Sequence, residues 1–241
     1  MPVIAIVGAG PGMGLAIAKS FGAQGYKAAL LSRNPAKQEP LVAALAKEGI
    51  EAAAFAADVL DRGSIASGLA AAKQRFGAID VLEYSPSDWG LPLARISELG
   101  HDNVQIAFDF TVHGALAAVQ AVLPDMLARH TGTILFTTGA SSVYPHLGND
   151  KFANFTVAGA ALRAYAQALH AALAPSGVQV GHVAIGAWIG QQPGATPEVI
   201  APLYWELHTQ RDQVEKVFFP ETTKEPQNGA DKTLSTPDRR V

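Results

Sequence analysis

Behind the apolar run of residues 3–7, in the segment VIAIVGAGPGMG, stand Gly8, Gly12 and Gly14, and Met13 opens an amphipathic stretch beyond them. Glycine lets a chain turn tightly and lay bare backbone against a pyrophosphate, and a helix starting there aims free N–H groups at the same anion. Between a buried strand and a helix, that spacing points to dinucleotide binding, although glycines also mark ordinary turns. A second apolar run ends in Leu31-Ser32-Arg33-Asn34. This is where a dinucleotide fold reads the adenosine ribose: an acid would bind the hydroxyls of NAD, whereas a hydroxyl and a guanidinium suit a 2′-phosphate. NADP is therefore expected over NAD, with a solvated loop arginine as the alternative for Arg33. Tyr144 and His146 lie in the loop after the fifth apolar run, at the edge of the sheet where ligands bind in such folds. Either could reach a substrate carbonyl, and both are also ordinary loop-packing types. The histidines are scattered, with no His-x-x-x-His spacing and no acid cluster, so no metal is expected.

The elements that must position these residues follow from periodicity. Strands are expected near residues 3–7, 27–31, 51–57, 79–84, 133–138, 178–185 and around 217, and helices near 13–24, 35–47, 62–76, 101–129, 152–174 and 197–209. Gly25, Gly49, Gly77 and Gly177 follow helix ends, where a left-handed residue is wanted. Apolar β-type runs alternating with helices are the pattern of an α/β fold, a doubly wound parallel sheet of Rossmann type with about seven strands and helices on both faces. At 241 residues and 49% hydrophobic, the chain can bury one large core and is short for two full domains. Residues 1–220 are read as one domain. Residues 221–241 are polar and aperiodic and are read as a flexible tail, or an arm that docks on a neighbouring subunit.

Composition bounds the partners. The net charge is −3, and lysines and arginines are scattered, so no footprint for nucleic acid or an acidic membrane is visible. Small molecules or copies of the same chain are the expected partners. The absence of cysteine excludes disulfides and thiolate chemistry. With no charged leader and no uninterrupted apolar run near about 18 residues, a cytoplasmic location is expected.

The spacing Gly8-x-x-x-Gly12-x-Gly14 resembles that of the short-chain dehydrogenase/reductase family. The resemblance runs from Pro2 to about Phe219 and includes Asp58-Val59, Leu123-Pro124-Asp125-Met126, the run Gly132 to Phe136, and Ala160-Ala161-Leu162. It implies an oxidoreductase acting on a carbonyl or alcohol. It also implies that Asp58 accepts from the adenine amine with Val59 beside it, Asp58 being alternatively a helix cap that competes with Asp61 and Ser64. Ser85 stands in the family's Asn-Asn-Ala-Gly turn, here Tyr84-Ser85-Pro86-Ser87, and Gly186 in its Pro-Gly turn, here Ile185-Gly186. Both are taken as cofactor-binding positions. The asparagine of the fourth helix is replaced by Thr111.

The family's chemistry needs a tyrosine and a lysine four apart on one helix face, the lysine tuning the phenol. Aligning Ala160-Ala161-Leu162 places Phe155 and Gly159 in those slots, and neither can move a proton. A helical glycine costs about 1 kcal/mol against alanine, so a close backbone contact is expected at Gly159. The substrate-orienting serine falls on Ser142 when counted from Phe155, with Ser141 as an alternative, and on Gly139 when counted from Gly132. Pocket walls are expected from Trp89, Leu91, residues 144–152 and the segment containing Trp188, Tyr204 and Trp205. The family usually pairs subunits through its fourth and fifth long helices, and the small residues Ala158, Gly159, Ala160, Ala161, Ala164, Ala168 and Ala172 suit a homodimer or homotetramer, with packing against the sheet as the alternative. Two functions stay open: an NADP-linked oxidoreductase with a displaced proton donor, and a nucleotide-binding pseudoenzyme that senses redox state or binds a partner.

Overall fold

Seven strands hydrogen-bond into one parallel sheet in the order β3-β2-β1-β4-β5-β6-β7. They are β1 (Val3–Val7), β2 (Lys27–Ser32), β3 (Ala52–Ala56), β4 (Val81–Tyr84), β5 (Gly132–Gly139), β6 (Val178–Ile185) and β7 (Glu215–Phe218). The computed structural model describes residues 1–148 and 150–221. The expected polar tail therefore lies, apart from Glu221, outside the described residues.

Both faces of the sheet are covered, and this is why its strands read as continuous apolar runs rather than alternating ones. Val3, Ala5 and Val7 of β1 pack into a core with α3 (Arg62–Phe76), α5 (Gly114–Arg129) and α6 (Ala153–Leu173). Ile4 and Ile6 face the opposite core, built with α1 (Met13–Gly22), α2 (Glu39–Lys47), α7 (Pro197–Ile200) and α8 (Pro202–Gln210). Because successive strand residues point to opposite faces, neighbouring positions on β4, β5 and β6 serve different cores. β1 and β4 are adjacent, and the chain leaves them in opposite directions across the sheet. The crevice beyond their carboxyl ends is the binding point of a doubly wound fold.

Three expected helices are divided in the structure. The stretch 35–47 starts as a 3₁₀ turn, Pro35–Gln38, capped by Asn34, whose Oδ1 accepts from the Ala36 N–H at 3.1 Å. Pro40 has no N–H to continue that turn, and α2 begins afresh there. Pro202 separates α7 from α8 in the same way. The long stretch 101–129 is α4 (His101–Phe108) and α5 joined by a π turn at Asp109–His113. Its most apolar 18-residue window has mean hydropathy 1.6, enough in length and composition to cross a membrane, yet 39% of that window is buried within the fold.

The π turn has an identifiable cause. It frees the Phe110 carbonyl, and the Tyr84 hydroxyl at the end of β4 donates to it at 2.5 Å. Gly114 makes room for that phenol, since a Cβ there would stand 2.1 Å from the Tyr84 oxygen. The turn thereby sets Phe110 and Thr111 at the mouth of the crevice.

Candidate functional site

At the β1–β4 crevice, Gly8 adopts φ +92°, and a Cβ on it would lie 2.4 Å from Pro86 Cα. A Cβ on Gly14 would lie 2.8 Å from Ala9 Cα, so both glycines are demanded by close backbone approach. Gly12 caps α1 with no side-chain acceptor, and Met13 is the first residue of that helix. The amino end of α1 thus opens beside a cavity of ≈ 580 Å³.

Gly8, Ser32, Arg33 and Val59 line this cavity, with Lys37 and Gln38, which sequence reasoning missed. The turn that begins at Pro35 folds these two back beside the end of β2. Gln38 is 7% exposed, and its Oε1 is buried with no hydrogen-bond partner among the described residues. Arg33 Nη1 donates to Asp88 Oδ2 at 2.6 Å across the cavity mouth. Asp58 is placed beside the wall rather than on it: its N–H donates to Ser64 Oγ at 3.0 Å, and its Oδ1 accepts the Leu60 N–H. Asp61 is the residue that caps α3, accepting from the N–H groups of Gly63 and Ser64. The Ser85 hydroxyl is turned away from the cavity and donates to Glu83 at 2.8 Å. Gly186 is covered by Phe219, whose ring carbon Cε1 would be 2.2 Å from a Cβ at that position.

A second cavity, ≈ 140 Å³, shares Pro86 and Phe110 with the first, so the two are contiguous. Thr111, Thr137, Thr138, Gly139, Phe155 and Gly159 are on its wall. Phe155 meets Phe110 edge-on with ring centroids 6.1 Å apart, making one side apolar. The close contact expected at Gly159 is not found. A Cβ there would lie 3.5 Å from Ser142 Cβ and 3.8 Å from Thr138 Cβ, which is ordinary van der Waals distance. Tyr84 reaches the same cavity, but its hydroxyl is committed to the Phe110 carbonyl and burial raises its pKa.

Polar side chains stand behind the two threonines, on opposite faces of the sheet. On the α8 side, Thr137 Oγ1 donates to Glu83 at 2.9 Å and lies 2.7 Å from the Tyr204 hydroxyl. Glu83 is fully buried, and burial pushes its pKa up to about 8 against the hydrogen bonds from Ser85 and Thr137. On the α6 side, Thr138 Oγ1 is 2.7 Å from Ser142 Oγ and 2.7 Å from His182 Nε2. His182 is fully buried, with Nδ1 3.0 Å from Glu215 Oε2. Arg163 donates to both oxygens of Glu215, through Nε at 2.5 Å and Nη2 at 2.9 Å. Partial burial raises the Glu215 pKa, but the hydrogen bonds from His182 and Arg163 and their charge outweigh it and hold the carboxyl at about 2.

Of the three proposed proton-active residues, the structure puts Ser142 behind Thr138, 5% exposed and off the cavity wall. Tyr144 packs on Phe219 and His146 at centroid distances of 6.1 and 6.3 Å, and neither Tyr144 nor His146 lines either cavity. Trp89 stacks on Trp188 at 6.0 Å, with Phe152 edge-on to Trp89 at 6.0 Å. Tyr204 and Trp205, expected on the same wall, belong instead to the core under α1. The Thr138–His182–Glu215 alignment was missed because its members read as isolated polar residues in apolar strands. The one available signal was a histidine in the mostly apolar run of β6.

Residues 2–190 match the sequence profile described as short chain dehydrogenase. The chain belongs to the short-chain dehydrogenase family. It is 30% identical over 185 residues to an uncharacterized oxidoreductase of Staphylococcus epidermidis, covering 76% of each chain. It is 35% identical over 139 residues to 2-(S)-hydroxypropyl-CoM dehydrogenase 3 of Xanthobacter autotrophicus, a match that spans 55% of this chain and about half, 51%, of that relative. Among solved structures, a short-chain dehydrogenase from Rhodopseudomonas palustris superposes with a TM-score of 0.77 at 26% identity, covering 91% of this chain and 98% of that one. The NADPH-bound short-chain oxidoreductase of Pseudomonas aeruginosa PAO1, described as containing an atypical catalytic center, gives 0.81 at 16% identity, covering 93% and 98%. The sheet order and the helices on both faces are those of the family's Rossmann-like fold.

Proposed function

We propose that this member of the family binds NADPH and acts as an oxidoreductase on a carbonyl or alcohol without the usual tyrosine–lysine pair. The observation that carries the cofactor reading is the grouping of Ser32, Arg33 and Lys37 on one cavity wall, two cations and a hydroxyl suited to a 2′-phosphate. The residues present fit a dinucleotide: at Gly8 and Gly14 the backbone turn has no room for a Cβ, and the Gln38 Oε1, unpartnered among the described residues, awaits a donor such as an amine or ribose hydroxyl. An NADP complex of a metagenomic short-chain oxidoreductase, with a TM-score of 0.77 and 22% identity, supports the same reading. Gly8, Gly12, Met13 and Gly14 would hold the pyrophosphate, and Val59 would border the adenine beside Asp58. Arg33 would exchange Asp88 for the phosphate. When bound, the nicotinamide supplies or accepts the hydride.

Titration calorimetry with NADPH and NADH tests this. NADPH is expected to bind more tightly, and Arg33→Ala to erase most of the preference. Equal affinities in the unmutated protein would overturn it.

A second reading rests on Phe155 and Gly159, which leave the tyrosine and lysine slots without a proton-active group: a nucleotide-binding pseudoenzyme that senses redox state or engages a partner. NADPH binding without consumption of any carbonyl would favour it. We further propose a homodimer or homotetramer, supported by the apolar flank of α4 and α5 that the sheet leaves uncovered. A monomeric mass by light scattering across the micromolar range would reject assembly.

A further inference from the structure

We infer that Thr138, backed by His182, Glu215 and Arg163, is the proton donor and acceptor that this cavity presents in place of the missing tyrosine. The inference rests on the oxidoreductase reading above. Thr138 is on the wall of the ≈ 140 Å³ cavity, beside Phe155 and Gly159. Because residue 159 has no side chain, nothing from α6 covers Thr138 at that point, whereas any longer residue would lie against its methyl group.

Hydrogen-bond bookkeeping fixes the protons. Glu215 is an ionised carboxylate that takes two N–H groups of Arg163, so it can only accept, and the His182 Nδ1 facing it carries a proton. In the neutral imidazole, Nε2 is then the acceptor, and of the two acceptors that the Thr138 hydroxyl meets, Nε2 at 2.7 Å and the Gly139 carbonyl at 3.2 Å, the nearer takes its one proton. Thr138 Oγ1 in turn accepts from Ser142 Oγ at 2.7 Å. A hydroxyl on an imidazole that is itself oriented by a carboxylate is the arrangement that makes an alcohol oxygen an effective proton carrier.

Strand register builds it. His182 lies opposite Glu215 between β6 and β7, and Thr138 lies opposite Ala184 between β5 and β6. The three side chains therefore run across one face of three neighbouring strands. A purely structural network would close on itself inside the core, where apolar side chains serve equally well. This one ends on a residue of the cavity wall. The charged groups around His182 are Glu215 from β7 and, through it, Arg163 from α6.

The protons balance as follows in reduction. As the carbonyl carbon gains the hydride, its oxygen takes the Thr138 Oγ1 proton. Oγ1 takes the Nε2 proton of the His182 imidazolium, which the neutral ring forms by taking a solvent proton before the carbonyl binds, leaving a neutral imidazole with its remaining proton on Nδ1 against Glu215. After the alcohol departs, a solvent proton returns through the Thr138 hydroxyl. Alcohol oxidation runs the same transfers in reverse, from the neutral imidazole.

The experiment uses the full chain, with 4-nitrobenzaldehyde and 2,3-butanedione as probes, NADPH fluorescence for binding, and nitrogen-15 NMR of the histidines in the cofactor-free protein. The His182 ring is expected as the Nδ1–H tautomer, with an Nε2 resonance that moves in Thr138→Val. Thr138→Val, which keeps the shape, is expected to lower kcat by about 10²–10⁴-fold, the usual span for a lost general acid, with NADPH affinity and KM essentially unchanged. His182→Gln should match that loss, and Thr138→Ser should restore most of the rate. An Nε2–H tautomer, or a Thr138→Val enzyme within about threefold of the unmutated rate, overturns the inference, since a lost general acid costs at least about 10²-fold. NADPH binding with no consumption of either carbonyl overturns the oxidoreductase reading and the relay with it, whereas turnover that Thr138→Val leaves intact overturns the relay alone. Failure to bind NADPH overturns the cofactor reading by itself.

Discussion

Glu83→Gln should stabilise this protein, and increasingly so as the pH rises. Glu83 is fully buried in β4, and its partners are the hydroxyls of Ser85 and Thr137 rather than a cation. Burial therefore lifts its pKa from 4.5 to about 8. Below 4.5 both the folded and unfolded chains carry the proton, and the contribution to stability is present in full. Between 4.5 and about 8 the unfolded chain ionises while the folded one does not, so stability is lost across that window and levels off above it. Each tenfold in proton affinity is worth about 1.4 kcal/mol, which caps the loss between 4.5 and about 8 at about 5 kcal/mol. Glutamine keeps the shape, offers an acceptor to one hydroxyl and a donor to the other, and does not titrate. At about 2–4 °C per kcal/mol for a chain of this size, the melting temperature of Glu83→Gln should pull ahead of the unmutated protein by up to about 10–20 °C between pH 5 and 8.5. Differential scanning fluorimetry across that range measures it, and comparing the two proteins cancels the other titrating groups. Parallel curves would refute the reasoning, because they would mean that Glu83 ionises in the folded state as readily as in water.

Gly159→Ala should be tolerated and should stabilise by up to about 1 kcal/mol in urea unfolding, since its Cβ meets only ordinary contacts and helix propensity improves. Gly114→Ala should cost about 1–3 kcal/mol, because its Cβ would collide with the Tyr84 hydroxyl, and adding Tyr84→Phe should recover part of the loss in a double-mutant cycle. Phe155→Tyr alone should raise carbonyl reduction little, whereas Phe155→Tyr with Gly159→Lys should exceed the sum of the singles, since phenol and cation act as a unit; steady-state rates of the four proteins settle this.

The alternation of strands and helices, and with it the parallel sheet, was legible in the sequence because each strand is short, apolar and bounded by turn residues. Gly8 and Gly14 marked the crevice for the same local reason: close backbone approach at both, with a positive φ at Gly8, leaves no choice of residue, whereas a Cβ on Gly12 would stand in open space. Ser32 and Arg33 could be assigned to the crevice wall because they stand at the end of the strand beside it. Lys37 and Gln38 could not, since their arrival depends on the 3₁₀ turn that Pro35 starts and Pro40 ends. Phe155 and Gly159 were placed by resemblance, and they do meet in one cavity. Tyr204 and Trp205 misled because a helix sequence does not say which face of a doubly wound sheet it will cover.

The candidate proton relay belongs wholly to tertiary structure. Thr138 and His182 are 44 positions apart, and His182 and Glu215 are 33 apart. They meet because parallel register sets His182 opposite Glu215 and turns both toward the face that Thr138 shares. Each strand's own pattern fixes that it is buried, and a shift of register by one residue would send these side chains to the opposite core without changing that pattern. The sequence by itself determined the alternating elements of a doubly wound sheet and the crevice they leave; which buried polar groups stand behind the wall that holds Phe155 and Gly159 was decided by pairing between strands distant in the chain.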